Sequence, residues 1–465
     1  MYSDNLIKHG DNTCLILDGY EFTYKEVDRE CNNICKFLGK TKKLVLLKAG
    51  TNIETVICYL ALLKSNHAMI MVDCSINNTH ISRFIDKYQP NYLWEPIQDD
   101  SESEYVLKFK NYGLKCINNY LIDLHPKLSL MLSTSGSTGS PKLVRLSKDN
   151  LSSNTDSIND YLRISSLDVA ISNLPFHYSY GLSIINTHID KGASIVITEK
   201  SPMTKDFWNL FKKHNVTNLN GVPYNYEIFK RIGIDNMSLD SLRFLTQAGG
   251  KLNETLIKSF TDFANTRNID FYIMYGQTEA TARISYLPPK DLNSKINSIG
   301  KPIKNGELVI KDLNGKYELE SAKEGELIYK GKNVMMGYAS TIDDLKKGND
   351  LDGILPTGDI AYKDDDGYFY ITGRIKRFIK IHGNRISLDE VENNLKSALY
   401  QVACVGIDNM LFVVTTEYEK IDDIKKFVKE NFALHHSTFS VTAVEKFPSN
   451  SSGKLKYNEL LSQLL

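Results

Sequence analysis

The sequence predicts an α/β protein, and three observations carry that expectation. Short apolar runs alternate with amphipathic stretches from Thr23 to Met274, those runs keep ending in polar, glycine-bearing turns, and from about Lys290 the rhythm changes to short segments separated by Gly, Asn and Asp. The expected layout is layered α/β sheets in the N-terminal part, a small β-rich subdomain from about Lys290, and a compact α+β unit over the final hundred or so residues.

Residues Thr23 to Leu38 place Val27, Cys31, Ile34, Cys35 and Leu38 on one stripe of an amphipathic helix. Leu44 to Leu47 then reads as a buried strand, Thr55 to Leu63 as a helix and Ala68 to Val72 as another strand, the β-α-β order of a parallel sheet. The stretch Gln98 to Lys110 is polar and carries little pattern. Leu128 to Leu132 is an apolar run, and Ser147 to Asn150 caps a further helix. Val169 to Leu174 and Ala193 to Ile197 are predicted strands flanking the turn Pro175 to Gly181 and a helix. The rhythm continues through Phe207 to Lys213, Asn218 to Val222, Leu242 to Thr246 with the turn Gln247 to Gly250, and Asp270 to Met274. Leu388 to Leu399 and Ile421 to Asn431 are predicted helices around strands Val402 to Ile407 and Met410 to Thr415.

At 465 residues the chain exceeds what one hydrophobic core serves. Its 56 Lys+Arg balance 56 Asp+Glu, which removes the basic excess of a nucleic-acid binder. The apolar run Thr55 to Leu63 is too short to span a bilayer, and Met1 to Asn5 does not open a signal peptide, so a soluble, cytoplasmic protein is expected. Seven cysteines are expected as free thiols, with Cys31 and Cys35 packed on a helix, and no Cys or His spacing suggests zinc.

The most informative stretch is Thr134-Ser135-Gly136-Ser137-Thr138-Gly139-Ser140-Pro141-Lys142. Glycines let backbone N–H groups turn toward an anion, and the hydroxyls and Lys142 add donors and charge, as a phosphate-binding loop requires. Gly139 is followed by Ser140-Pro141-Lys142-Leu143, which is not a Walker A spacing. Taken alone, the stretch also fits a flexible Ser/Gly turn between two strands.

With that loop, Asn173 to Gly181, Tyr275-Gly276-Gln277-Thr278-Glu279, Thr357-Gly358-Asp359, Gly373-Arg374 through Gly383, and Ser452-Gly453-Lys454 occur in one order along nearly the whole chain. This set resembles the adenylate-forming superfamily, the AMP-dependent synthetases and ligases that include acyl-CoA synthetases, luciferase and peptide-synthetase adenylation domains. The resemblance implies attack of a carboxylate on the α-phosphorus of ATP, giving an acyl-adenylate and pyrophosphate, then transfer of the acyl group to a thiol. The thiol belongs to CoA or to the phosphopantetheine of an acyl carrier protein.

The resemblance also distributes roles. Thr134, Ser135, Gly136, Ser137, Thr138, Gly139 and Lys142 would hold the departing phosphates. Thr278 would bond the α-phosphate, and Glu279 would hold Mg²⁺, a hard cation suited to a carboxylate and phosphate oxygens. Tyr275, Gly276 and the Gly249-Gly250 turn would border the adenine, Asp359 would accept from both ribose hydroxyls, and Arg374 would be its partner. Lys454 matches the lysine that reaches between carboxylate and α-phosphate, and Lys376 the hinge. That hinge would divide the chain into a large N-terminal domain of residues 1–375, with its β-rich subdomain at about 290–372, and a small mobile C-terminal lid domain of residues 376–465.

His177 stands among the catalytic candidates. It follows Phe176 where amino-acid-activating members carry an aspartate for the α-ammonium, so a simple carboxylic acid is the expected substrate. An acidic residue from another segment would reopen amino-acid adenylation for loading a carrier protein, and a catalytically inactive adenylate- or acyl-binding protein is the alternative of a different class. Three departures from the family pattern touch structure more than chemistry. Asn66-His67 stands where a glycine is usual, Val72-Asp73-Cys74 lacks the following proline, and the region before the phosphate loop is short. The oligomeric state is left open.

Overall fold

A computed structural model describes residues 1–17, 19–98, 104–133, 142–312, 318–375, 377–381, 384–432, 434–449 and 455–465, without the side chains of 384 and 385. The chain divides into two compact units, residues 1–307 with 330–355, and residues 308–329 with 356–465.

The first unit contains three sheets. The largest runs in the order Gly337–Ala339, Leu143–Ser147, Leu128–Ser133, Ala68–Asp73, Leu44–Ala49, Tyr92–Pro96, Tyr112–Cys116, Tyr105–Phe109. Its four middle strands are parallel, with Leu46 paired to Ile70 and to Leu93, and Ile70 to Met131. A second sheet begins with three parallel strands, Asn218–Gly221, Phe244–Gln247 and Asp270–Tyr275, and ends in antiparallel Ser285–Leu287 and Lys301–Pro302. A third joins Val169–Ile171, Ser194–Val196, Thr13–Leu17 and Tyr20–Thr23.

Local chemistry accounts for the helices between them. Helix Tyr24–Leu38 opens on a capping box in which Thr23 Oγ1 accepts from Glu26 N (3.2 Å) and the Glu26 carboxylate accepts from Thr23 N (2.8 Å). Its apolar stripe lies on helix Ile53–Lys64, with Cys31 and Cys35 pointing their thiols at the carbonyls of Ile57 and Ala61. That second helix is apolar around its circumference and buried from Ile53 to Leu63, as expected of a helix covered on all sides. Tyr59 ties it to helix Ser179–Lys191 by donating to Asn186 Oδ1 at 2.9 Å.

His188, on that helix, is sealed in the core. Its Nδ1 lies 2.8 Å from the Ile184 carbonyl and its Nε2 3.0 Å from Asn218 Nδ2, so a neutral ring donating through Nδ1 satisfies both. Burial lowers its pKa to about 4. The unfolded chain protonates this residue below about pH 6.5, so the stability it contributes is complete above that value and is lost as pH falls toward the folded pKa, by on the order of 3 kcal/mol. Urea unfolding from about pH 7.5 down to about pH 5 should show this slope, flattened in His188→Gln.

The second unit holds an antiparallel sheet of Glu307–Lys311, Gly325–Lys330, Ile354–Lys363 and Phe369–Arg374. It also holds the hairpin Phe378–Ile381/Asn384–Ser387 and a three-stranded sheet of Val402–Ile407, Met410–Thr415 and Phe439–Ala443. Helices Leu388–Ser397 and Ile421–Phe432 close its core over Val391, Leu395, Ile424 and Val428.

An ionic hub organises this unit. Arg377 donates to Asp389 Oδ1 (2.5 Å), Glu392 Oε2 (3.0 Å) and the Cys404 carbonyl (3.2 Å), while Tyr457 presents its ring 3.7 Å from the guanidinium. Glu392 also accepts from Cys404 N, Lys396 and Tyr457. Removing one partner of such a buried set leaves uncompensated charge, so Arg377→Ala should lower the unfolding free energy of this unit by about 3–5 kcal/mol in chemical denaturation.

The predicted fold class and the order of elements are present. Among the described residues, elements beyond those expected include helices Asn78–Tyr88, Pro223–Arg231, Glu254–Arg267 and Tyr457–Ser462 and the strands Thr13–Leu17, Tyr20–Thr23, Tyr92–Pro96, Tyr105–Phe109, Tyr112–Cys116 and Phe439–Ala443. The strand expected over Val169 to Leu174 stops at Ile171. The turn expected over Pro175 to Gly181 becomes helical at Ser179, because Gly181 lets the first helical turn lie against the Pro175 carbonyl, which a Cβ there would approach to 2.2 Å.

Candidate active site

The candidate site in the first unit is assembled where parallel strand Asp270–Tyr275 ends. In open α/β sheets ligands collect outside the carboxyl ends of strands, and this strand runs directly into the Thr278–Ala280 turn. The chain then doubles back: Ile284 N donates to the Tyr275 carbonyl, and a Cβ on Gly276 would fall 1.8 Å from the Ala282 oxygen. Gly276 is therefore required by the close approach of its own loop.

Thr281 and Ala282 both adopt positive φ, +66° and +142°, conformations that non-glycine residues rarely take. Two buried asparagines impose them. Asn333 Nδ2 donates to the carbonyls of Ala280 and Arg283 (2.8 Å each), and Asn154 exchanges hydrogen bonds with the backbone of Arg283. Thr281 Oγ1 adds a bond to the Asn333 carbonyl. This clamp sets the direction of Glu279 on one side and of Arg283 on the other.

Glu279 Oε1 accepts a hydrogen bond from Tyr338 OH at 2.9 Å, and Lys142 Nζ lies 5.6 Å from the centre of the same tyrosine ring. Burial and the neighbouring Glu279 carboxylate hold the Tyr338 phenol protonated, well above its ordinary range. Tyr338 is fixed in turn by Arg145. That fully buried guanidinium donates to the carbonyls of Met336, Tyr338, Lys347 and Gly348 and pairs with Asp350, pinning edge strand Gly337–Ala339 beside Leu143–Ser147.

Thr278 Oγ1 lies 3.4 Å from Ser179 Oγ, at the first residue of helix Ser179–Lys191. His177, two residues earlier, places Nε2 3.6 Å from Asp73 Oδ2 at the end of strand Ala68–Asp73. Burial lowers the His177 pKa, and the Asp73 carboxylate only partly opposes this. Its Asp73 partner also accepts from Ser75 N and Oγ. The turn bearing Gly249 and Gly250 packs on Tyr178: Gly249 has φ +85°, and a Cβ there would meet Tyr178 OH at 2.5 Å.

In the second unit, Asp359 and Arg374 face one another across paired strands, and Arg374 Nε donates to Asp359 Oδ1 at 2.9 Å. Asp359 is buried, with its backbone N–H bonded to Thr357 Oγ1. The structure thus brings Lys142, Thr278 and Glu279 into one neighbourhood through Tyr338 and Ser179, and brings Asp359 to Arg374. Thr134, Ser135, Gly136, Ser137, Thr138, Gly139, Lys376 and Lys454 lie outside the described residues.

Sequence reasoning assigned no role in the site to Tyr338, Asp73, Arg145, Asn154, Asn333 or Arg283. Each acts through a partner far away in sequence, and none stands in a recognisable motif.

The family model described as AMP-binding enzyme matches residues 3–339. The chain belongs to that family. It is 29% identical over 364 residues to 4-coumarate-CoA ligase 1 of Narcissus pseudonarcissus, covering 74% of this chain and 66% of the relative. It is 24% identical over 468 residues to a 2-succinylbenzoate–CoA ligase of Staphylococcus epidermidis, covering 98% and 96%. The match to the 4-coumarate ligase thus spans just under two thirds of that relative.

Among solved structures it shares the fold of o-succinylbenzoate coenzyme A synthetase (MenE) from Bacillus subtilis in complex with AMP. That likeness has a TM-score of 0.79 and 20% identity over 98% of each chain. ATP-bound MatB from Rhodopseudomonas palustris has the same fold, with a TM-score of 0.80 and 19% identity over 100% of this chain and 99% of that one. Among the described residues, no helix is long and apolar enough to cross a membrane.

Proposed function

We propose that this AMP-binding family member is an acid–thiol ligase, activating a carboxylic acid with ATP and transferring the acyl group to CoA. The observation that carries the reading is the Lys142–Tyr338–Glu279 arrangement beside the Thr278–Ser179 contact. It sets a cation, a carboxylate and two hydroxyls around the end of one parallel strand. The CoA ligases among the relatives support the same reaction class and favour CoA as acceptor; a carrier-protein thiol is the second candidate.

In the first half-reaction an oxygen of the acid's carboxylate attacks the α-phosphorus of ATP, and the bond to the bridging oxygen of pyrophosphate breaks. Thr278 donates to the α-phosphate, while Lys142, with residues 134–139, holds the departing phosphates. Glu279 fits a magnesium ion that arrives on those phosphates. Glu279 would hold that ion through its carboxylate together with phosphate oxygens, ligands that suit a hard cation. Such an ion supplies charge neutralisation at the phosphates. Tyr338 holds the Glu279 carboxylate in its rotamer.

His177, kept neutral by burial, is a hydrogen-bonding partner for the acid's carboxylate. Tyr275 and the Gly249-Gly250 turn are assigned to the adenine. Asp359 is assigned to the ribose hydroxyls with Arg374 as its partner, and Lys454 to the developing charge between carboxylate and α-phosphate. In the second half-reaction a thiol attacks the acyl carbon and AMP leaves, with Lys376 as the proposed hinge between the two steps.

Amino-acid activation is favoured by one observation, the nearness of Asp73 to His177, which supplies a carboxylate from another segment. Against it, the buried cation Arg283, which follows Thr278 and Glu279 on the same clamped segment, would repel an ammonium group. Incubation with ATP, Mg²⁺, a panel of acids and amino acids and, as acceptors, CoA and a holo carrier protein, read by mass spectrometry, tests the proposal. Acyl-CoA and AMP formed in equal amounts are expected; an aminoacyl thioester on a holo carrier protein alone would replace this reading with the second.

A further inference from the structure

Arg283 is 3% exposed and lines a small cavity between helix Ser179–Lys191 and the sheet. Its Nε donates to the Met274 thioether at 3.3 Å, its Nη1 to the Ala282 carbonyl at 3.2 Å, and its guanidinium stacks 4.2 Å from the Tyr180 ring. Among the described residues no carboxylate lies within ion-pair distance of it. A thioether is a weak acceptor, and a cation held out of water without an anion costs several kcal/mol. The fold nevertheless fixes the backbone from which this side chain projects, through the Asn154 and Asn333 clamp and two strained backbone positions.

Its location connects it to the chemistry. Arg283 follows Thr278 and Glu279 on the same clamped segment, and Tyr180 follows Ser179, which touches Thr278. The cavity then runs along Tyr180, Ser183, Ile184 and Thr187, the i, i+3, i+4, i+7 stripe of that helix, with Thr246 on the sheet side. At about 10 Å³ it holds roughly one water, so a substrate carboxylate reaches Arg283 only where a wall of the cavity gives way. Met274, unbranched and flexible, is the wall that yields most readily and the group that now occupies the Arg283 Nε–H.

We propose that Arg283 binds a second carboxylate on the substrate, so that the acid activated is a short dicarboxylic acid whose far end displaces Met274 from the guanidinium. This rests on the acid-activating reading above. It predicts selectivity set by a charge-assisted bidentate contact, which a monocarboxylate of equal length leaves unmade.

The test compares succinate with butyrate and malonate with propionate in AMP formation. In parallel, it measures calorimetric binding of the matching non-hydrolysable acyl-sulfamoyl adenosines, for the wild-type chain, Arg283→Met and Arg283→Lys. The wild type should prefer the dicarboxylates by about 100-fold in kcat/KM, the ratio should collapse in Arg283→Met, and Arg283→Lys should restore part of it. A wild-type preference for the monocarboxylates, or an unchanged ratio in Arg283→Met, overturns the proposal while leaving acid activation standing. Arg283-dependent binding of the anionic analogue without turnover of any acid would uphold the anion site and reject the ligase reading. Neither binding preference nor turnover rejects both.

Discussion

Glu279→Gln should lower the rate of acyl-adenylate formation by about 10³-fold, because it removes the oriented carboxylate offered to a phosphate-bound cation while keeping the shape of the side chain. The amide still accepts from Tyr338 OH, so the fold around it should hold and the unfolding midpoint should be unchanged within error. Two further measurements separate a metal role from a structural one. Raising Mg²⁺ should recover part of the lost rate in Glu279→Gln. Tyr338→Phe, which frees the carboxylate without removing it, should cost only about 10-fold. If Glu279→Gln loses stability and rate together, Glu279 is a structural residue of the Thr278–Ala280 turn.

Lys454→Ala should abolish most of the first half-reaction and spare the second. The side chain is assigned to charge that develops between the attacking carboxylate and the α-phosphate, and such preorganised charge is worth about 10²–10³ in rate. Transfer from a supplied acyl-adenylate to CoA involves no change at phosphorus, so that step should run near the wild-type rate. Equal loss in both half-reactions would refute the assignment. Lys454→Arg should not rescue, because a planar fork does not replace a compact ammonium.

The elements that were legible in the sequence are those whose burial is one-sided or complete. Tyr24–Leu38 shows a single apolar stripe, and residues 44–47 and 68–72, within strands Leu44–Ala49 and Ala68–Asp73, are continuous apolar runs because both faces of a parallel strand are covered. Tyr105–Phe109, at the sheet edge, alternates buried and exposed residues over only five positions and merges into a polar stretch. Helix Asn78–Tyr88 has just three buried residues, Ile81, Phe84 and Tyr88, too sparse a stripe to stand out beside its polar neighbours.

The site divides along a similar line. Thr278, Glu279, Asp359 and Arg374 were readable because each sits in a short motif whose spacing matches a family pattern. Tyr338 was not, although it contacts Glu279 directly, because its position depends on Arg145 tying an edge strand to the sheet. Arg283 and the asparagines that aim it carry no local signature: Asn154, Asn333 and Arg283 come from three separate segments, and only tertiary folding makes them one clamp. Asp73 is the instructive case. The residue after Phe176 argues against an ammonium-binding carboxylate, yet the fold delivers one to His177 from another strand.

Carboxylate-dependent exchange of labelled pyrophosphate into ATP tests the central claim most directly, since it requires formation of an acyl-adenylate and no acceptor thiol. With a panel of short mono- and dicarboxylic acids and amino acids, the wild-type chain should exchange label with at least one acid, and Glu279→Gln should exchange about 10³-fold more slowly. No acid-dependent exchange with any member of the panel, from a folded chain that binds ATP, would contradict the account and make this protein a nucleotide binder built on an enzyme's fold.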